Sequence, residues 1–249
     1  RLEGRLHIQN VEGNSHIENI TVQRSSLDTS GSPMDPDFPS TLFGTTSGAP
    51  ADPVSGVTWL DWADDYMVTV FASNHPLITN LSVAGKAGSG IPSGDYRKGI
   101  LLQTNANVRF LQGTIFGCNE AVKITGAGAT RIYLDGLKFE ECEETHVWVE
   151  GGEDHIISTW HRQGAGHGLV DPCIRIGSST STPMNVRLDK ARLFSDQAAS
   201  GTAVLVERAD GVKIDDCFIE DFATAIEITG SSSGIGAGRT VQGLSLIHI

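Results

Sequence analysis

Three of the eight His residues, His155, His161 and His167, fall in one short stretch together with Arg162, and an acidic run, Glu140-Glu141-Cys142-Glu143-Glu144, precedes them. Crowded carboxylates repel one another, which raises the pKa of one toward the range of a general acid, and nearby imidazole or guanidinium groups would complete an acid–base site. The same acidic run also reads as a solvated turn, and the His-rich stretch as a bulged or looped-out strand. Choosing between these readings requires the elements that carry the residues.

Those elements are written in an internal repeat. Ile132, Leu134, Leu137, Phe139 and Cys142 share their spacing with Val212, Ile214, Cys217, Ile219 and Phe222, with Val108, Phe110, Gly113, Ile115 and Cys118, and with Val186, Leu188, Ala191, Leu193 and Asp196. Shorter matches are Ile17, Ile20, Val22 and Ile78, Leu81, Val83. Each unit is two fragments of period two separated by a sharp bend, a pattern of strands and not of helices. A further apolar pair follows each full unit (Val122-x-Ile124, Val147-x-Val149, Val204-x-Val206, Ile226-x-Ile228) and supplies a third short strand. Units recur roughly every two dozen residues, so equivalent side chains are expected to stack into ladders. A β-sandwich is the competing arrangement, but only Asp135-Gly136 and Asp210-Gly211 carry a hairpin signal, and both fall where the repeat already wants a turn.

Three short parallel strands per repeat resemble the right-handed parallel β-helix of pectate lyases, polygalacturonases and phage tailspikes, from Gly99 to Gly230 and more loosely over the N-terminal third. The implied fold is all-β: a right-handed single-stranded parallel β-helix, a solenoid truncated at both ends. One domain is expected over 1–243, with a long Pro-, Ser- and Gly-rich loop at about 25–55. Both ends look cut, since the chain starts at Arg1, and residues 244–249 look like translated sequencing-adapter sequence.

Gly166-His167-Gly168 resembles the Gly-His-Gly of polygalacturonases, where the His lies beside the catalytic acids. One repeat back from His167 stand Glu143 and Glu144, and one further back stands Asn119. The resemblance therefore implies Glu143, Glu144 and His167 as catalytic and Asn119 as substrate-binding, although the acids here are Glu and no Asn-x-Asp occurs. Inverting glycoside hydrolysis needs two carboxyl groups about 6.5 to 9.5 Å apart, which neighbouring repeats could provide. Pectate lyases use an Arg as base with calcium held by Asp, which implies Arg162 as a catalytic candidate and Arg192 beside it. The resemblance leaves calcium open, although no specific calcium motif is present; no metal-ligating residues are singled out and no other cofactor is expected.

Continuing the repeat past Ile132 puts Ile156, Ser158, His161, Gln163 and Gly166 at inward positions, a poor match; a shifted register through His155, Ile157, Trp160 and Arg162 buries less polarity. Lys138, Arg162 and Arg192 fall at equivalent outward positions and would form a basic ladder; with His161 they are candidates for binding an anionic substrate. A second outward row is Arg109, Tyr133, Ile157, Arg187 and Lys213, which Asp135, Asp189 and Asp215 could neutralise. Trp59, Trp62 and Tyr66 near Asp61, Asp64 and Asp65 could stack on sugars, but packing onto the core is the expected role.

Composition narrows the partners. With 18 basic and 30 acidic residues the net charge is −12, which disfavours nucleic acid. Hydrophobic residues at 39% suffice for a core, and no apolar run is long enough for a membrane span. Four Cys without a C-x-x-C pair argue against structural zinc. Cys118 and Cys142 share one repeat position, where either a disulfide or a ladder of buried thiols would fit; thiols are expected. The expected function is binding of a polysaccharide, with cleavage of an acidic glycan by hydrolase or lyase chemistry. The alternative is a non-catalytic structural or receptor-binding part of a phage tail spike or fibre, which would be a homotrimer. Either role is extracellular or virion-associated.

Overall fold

A computed structural model describes residues 2–3, 6–23, 66–85, 98–142, 144–163, 172–195, 201–229 and 246–247. The expected loop at 25–55, Trp59, Trp62, Glu143, the Gly-His-Gly at 166–168 and Asp196 lie outside these residues.

In chain order the strands are β1 (Leu2–Glu3), β2 (Leu6–Gln9), β3 (His16–Glu18), β4 (Thr21–Gln23), β5 (Tyr66–Phe71), β6 (Leu77–Ala84), β7 (Lys98–Gln103), β8 (Arg109–Phe116), β9 (Val122–Thr125) and β10 (Tyr133–Glu140). They continue as β11 (Val147–Val149), β12 (Ile156–Gln163), β13 (Ile174–Ile176), β14 (Arg187–Asp189), β15 (Arg192–Ser195), β16 (Thr202–Val206), β17 (Lys213–Asp215), β18 (Cys217–Glu220), β19 (Thr224–Ile228) and β20 (Leu246–Ile247). The described residues contain no helix.

The strands form two parallel sheets. The longer has the path β1-β4-β6-β8-β10-β12-β15-β18-β20, with β3, β14 and β17 alongside; the shorter runs β19-β16-β13-β11-β9-β7-β5-β2. From β5 to β19 the chain alternates between them, and each strand pairs with its equivalent one repeat away: Tyr133 with Arg109, Val147 with Val122, and Val204 with Ile174. This parallel pairing between repeats excludes the hairpin-linked sandwich over these residues.

The inward residues are those of the repeat. Val108, Phe110, Ile115, Ile132, Leu134, Leu137, Phe139, Val186, Leu188, Leu193, Val212, Ile214 and Ile219 are all buried in one cluster with Val122, Ile124, Val147, Val149, Ile174, Ile176 and Val204. Burying each large aliphatic or aromatic side chain contributes about 1.5–3 kcal/mol. The pattern wears out at the C-terminal edge, where Ile226 is only partly buried and Ile228 is exposed.

The sharp bend inside each unit has a backbone cause. Asn19, Asn80, Gln112, Gly136, Lys190 and Asp216 all have positive φ, between 49° and 68°. A single left-handed residue turns the strand and restores the inward alternation on the far side. β12 is the exception, since none of its residues has positive φ. It runs straight and is one residue short against β10: Asp135 pairs with Ser158, but Lys138 pairs with Trp160. Both expected registers therefore need correction. His155 and Ile157 point inward, as in the shifted reading, but after the missing bend Thr159 and His161 do so in place of Trp160 and Arg162.

All four Cys are free thiols and buried, Cys118 and Cys142 included. The Cys118 thiol is pushed well up, chiefly by its hydrogen bond with Cys142 and then by burial, and burial pushes Cys217 up to about 11. Iodoacetamide at pH 8 is expected to label none of the four in the native protein and all four in denaturant. Mass spectrometry showing native labelling, or two thiols protected after denaturation without reductant, would contradict this assignment.

Candidate functional site

The outward face of β10, β12, β15 and β18 brings three aromatic rings among basic side chains. Strand register sets Lys138, Trp160, Arg192 and Phe218 side by side in one row. Glu140, Arg162, Phe194 and Glu220 form the next row, two residues further along each strand and therefore on the same outward face. Ring contacts bridge the two rows: Trp160 and Phe194 have centroids 6.0 Å apart, and Phe194 and Phe218 5.3 Å, both tilted. Lys138 Nζ lies 6.0 Å from the Trp160 centroid. Lys138, Arg162 and Arg192 are exposed.

The expected ladder of Lys138, Arg162 and Arg192 is thus corrected. The turn before β12 is one residue short of the expected repeat and β12 itself is one shorter again, which moves Arg162 to the next outward row and puts Trp160 between Lys138 and Arg192. An indole between two cations replaces like-charge repulsion with cation–π and stacking contacts.

Several other outward cations are neutralised. The row of Arg109, Tyr133, Arg187 and Lys213 forms as expected, with Ile156 in place of Ile157. Arg187 lies 3.1 Å from Asp189 and 3.2 Å from Asp215, and Lys213 lies 2.7 Å from Asp215. On the shorter sheet, Trp148 is sandwiched by Lys123 and Arg175 at 3.8 and 4.6 Å, and these cations pair with Glu150 and Glu207. Lys138 and Arg192 have no carboxylate partner among the described residues.

Asn119 and Glu144 meet in the connections from the longer sheet to the shorter: the Glu144 amide donates to the Asn119 carbonyl at 2.9 Å, and both side chains are half-buried. That juxtaposition matches the expected stacking of these two residues. Glu143 and His167, the other expected catalytic groups, lie outside the described residues. Tyr66 is buried in β5 and its hydroxyl donates to the Glu120 carboxylate, a packing role.

His161, expected among the substrate contacts, is fully buried inside the protein. Its ring stacks on Phe139 (4.7 Å, 4°), and its Nδ1 lies 3.2 Å from His146 Nδ1. Cys173 Sγ lies 3.4 Å from the same His146 nitrogen. Burial and, secondarily, His146 hold the His161 imidazole well below its usual pKa. His155 is also fully buried; its Nδ1 accepts the Ile132 amide at 3.3 Å while Nε2–H donates to the Gly151 carbonyl at 3.0 Å, and burial lowers its pKa to about 4. The meeting of His146, His161 and Cys173 escaped the sequence reading, whereas the inward position of His155 belongs to its shifted register. His146 and Cys173 border the apolar pairs Val147-x-Val149 and Ile174-x-Ile176, and that adjacency is the signal that could have placed them at the interior.

Comparison of the chain with protein-family models, with curated proteins and with solved structures gives no match.

Proposed function

We propose that the chain is a right-handed parallel β-helix whose outer face binds an anionic polysaccharide. Alternation of the chain between two parallel sheets, with every strand beside its equivalent one repeat away, supports the solenoid reading. The observation that carries the binding reading is the platform of Trp160, Phe194 and Phe218 beside exposed Lys138, Arg162 and Arg192. Aromatic rings offer apolar area to the C–H faces of sugars at little entropic cost, and the cations are placed to pair with uronate or other acidic substituents. A face built on successive strands repeats along the stack, which suits a repeating polymer. Such a role is extracellular or virion-associated.

Cleavage is the second reading. Asn119 beside Glu144 is the arrangement that favours it, with Glu144 as the acid or base of a hydrolase; a lyase would instead use Arg162 or Arg192 as proton acceptor. Without turnover the same face would serve a non-catalytic spike or fibre.

Calorimetric titration with uronate-containing and neutral oligosaccharides tests the binding. The acidic glycan is expected to bind more tightly, with Trp160→Ala and Arg192→Ala each weakening it about tenfold, which is about 1.4 kcal/mol. Equal affinity for neutral glycans, or unchanged binding by both variants, would sink the proposal. Assays for reducing ends and unsaturated products, with Glu144→Gln retaining binding but losing turnover, separate an enzyme from a binding protein.

A further inference from the structure

The interior cluster of His146, His161 and Cys173 contains three ligand atoms that lie within 4.8 Å of one another, and all three residues are buried. His146 Nδ1 stands at its centre, 3.2 Å from His161 Nδ1 and 3.4 Å from Cys173 Sγ. Hydrogen bonds within the cluster use up only part of it: with the His161 proton on Nε2, His146 Nδ1–H donates to His161 Nδ1, and the Cys173 thiol proton then has no acceptor among the three residues. An ion bound about 2.0–2.1 Å from nitrogen and about 2.3 Å from sulfur sets its donors about 3.3–3.7 Å apart, close to the two observed edges. The outer parts of the site are also in place. His161 Nε2 lies 2.6 Å from Thr159 Oγ1, so Nε2–H can donate to the hydroxyl and leave Nδ1 unprotonated, and the ring is clamped flat against Phe139.

Charge selects the ion. The three donors supply one thiolate and two neutral imidazoles, so a monovalent ion gives a neutral unit, whereas a divalent one leaves a net charge where no side chain is exposed. We infer that His146, His161 and Cys173 form an interior site for one Cu(I) ion, a soft cation matched to thiolate and imidazole. Binding forms one Cu–S and two Cu–N bonds and releases the Cys173 thiol proton to solvent, with no change of oxidation state. The site is independent of the glycan-binding face and sits behind it, tying β12 to the connections that precede β11 and β13.

The full chain, refolded under anaerobic conditions with Cu(I) or with Zn(II) and then dialysed against bicinchoninate, is the test, because refolding loads a site that is closed in the native state. About one copper per chain is expected to remain in the parent and in Cys217→Ser, which alters a remote thiol. Cys173→Ser, near-isosteric and checked for folding by circular dichroism, is expected to hold copper at least tenfold more weakly. X-ray absorption of the loaded parent is expected to show two nitrogen ligands and one sulfur. Loss of copper from the refolded parent, equal retention by Cys173→Ser, or retention of zinc in preference to copper would overturn the assignment.

Discussion

Between pH 6.5 and pH 4 the protein is expected to lose about 2.5 kcal/mol of stability through His155 alone. Its imidazole titrates near 6.5 in the unfolded chain but at about 4 in the folded protein, where burial opposes the charge and Nδ1 accepts the Ile132 amide. In that window the unfolded state binds a proton that the native state does not, so stability is complete above pH 6.5 and drains away as pH falls toward 4. His161, lowered by burial and by His146, adds to the loss in the same direction. The buried thiols set the alkaline limit with the opposite sign. Cys217 keeps its proton to about 11, so above about pH 9 the unfolded chain sheds protons that the native protein retains. Urea midpoints measured from pH 4 to 8 are expected to rise steeply and then level off. His155→Gln is expected to be less stable at pH 7 yet to show a shallower rise. A variant slope as steep as the parent's would show that His155 is not the group responsible.

Gly177→Ala is expected to destabilise the protein by about 3 kcal/mol or more, whereas Gly13→Ala costs only about 1–2 kcal/mol. Both glycines have positive φ, +86° and +75°, and both substitutions meet the left-handed penalty. Only at Gly177 would the new Cβ also meet backbone, 1.9 Å from the Arg208 carbonyl oxygen and 2.6 Å from its carbon. Around Gly13 nothing lies within 4 Å. The clash has no cheap escape, because Gly177 N–H donates to Val149 and its carbonyl accepts the Trp148 indole N–H at 3.1 Å, tying it to neighbouring repeats. Thermal melts of the pair against the parent check the difference; equal losses would mean that the backbone of adjacent repeats can separate without cost.

Most of the scaffold was legible because its cause is local and periodic. Inward residues such as Leu134, Leu137 and Phe139 recur at the spacing with which strands stack, and the bend between fragments appears as a break in period-two alternation. The parallel pairing, as of Tyr133 with Arg109, and the unbonded thiols follow from that reading, but the expected three strands per repeat do not: the two fragments of a unit run on as one strand in β6, β8, β10 and β12, so the strands form two sheets. The neutralised row around Arg187 and Lys213 was also anticipated, since its Asp partners recur with the same spacing.

The candidate site was less legible, because it sits where the repeat changes. Nothing in Ser158-Thr159-Trp160 announces that the left-handed bend is omitted, and alternation in a strand means that one missing residue exchanges inside for outside. That exchange buries His161, brings it to His146 and Cys173, and carries Trp160 out to the basic face. Sequence by itself determined the strands, their repeat and the apolar ladders, since these depend on side-chain type at regular intervals. Only the tertiary structure decided which polar residues of the irregular repeat meet inside and which face solvent, because that depends on the pairing of β12 against both neighbours at once.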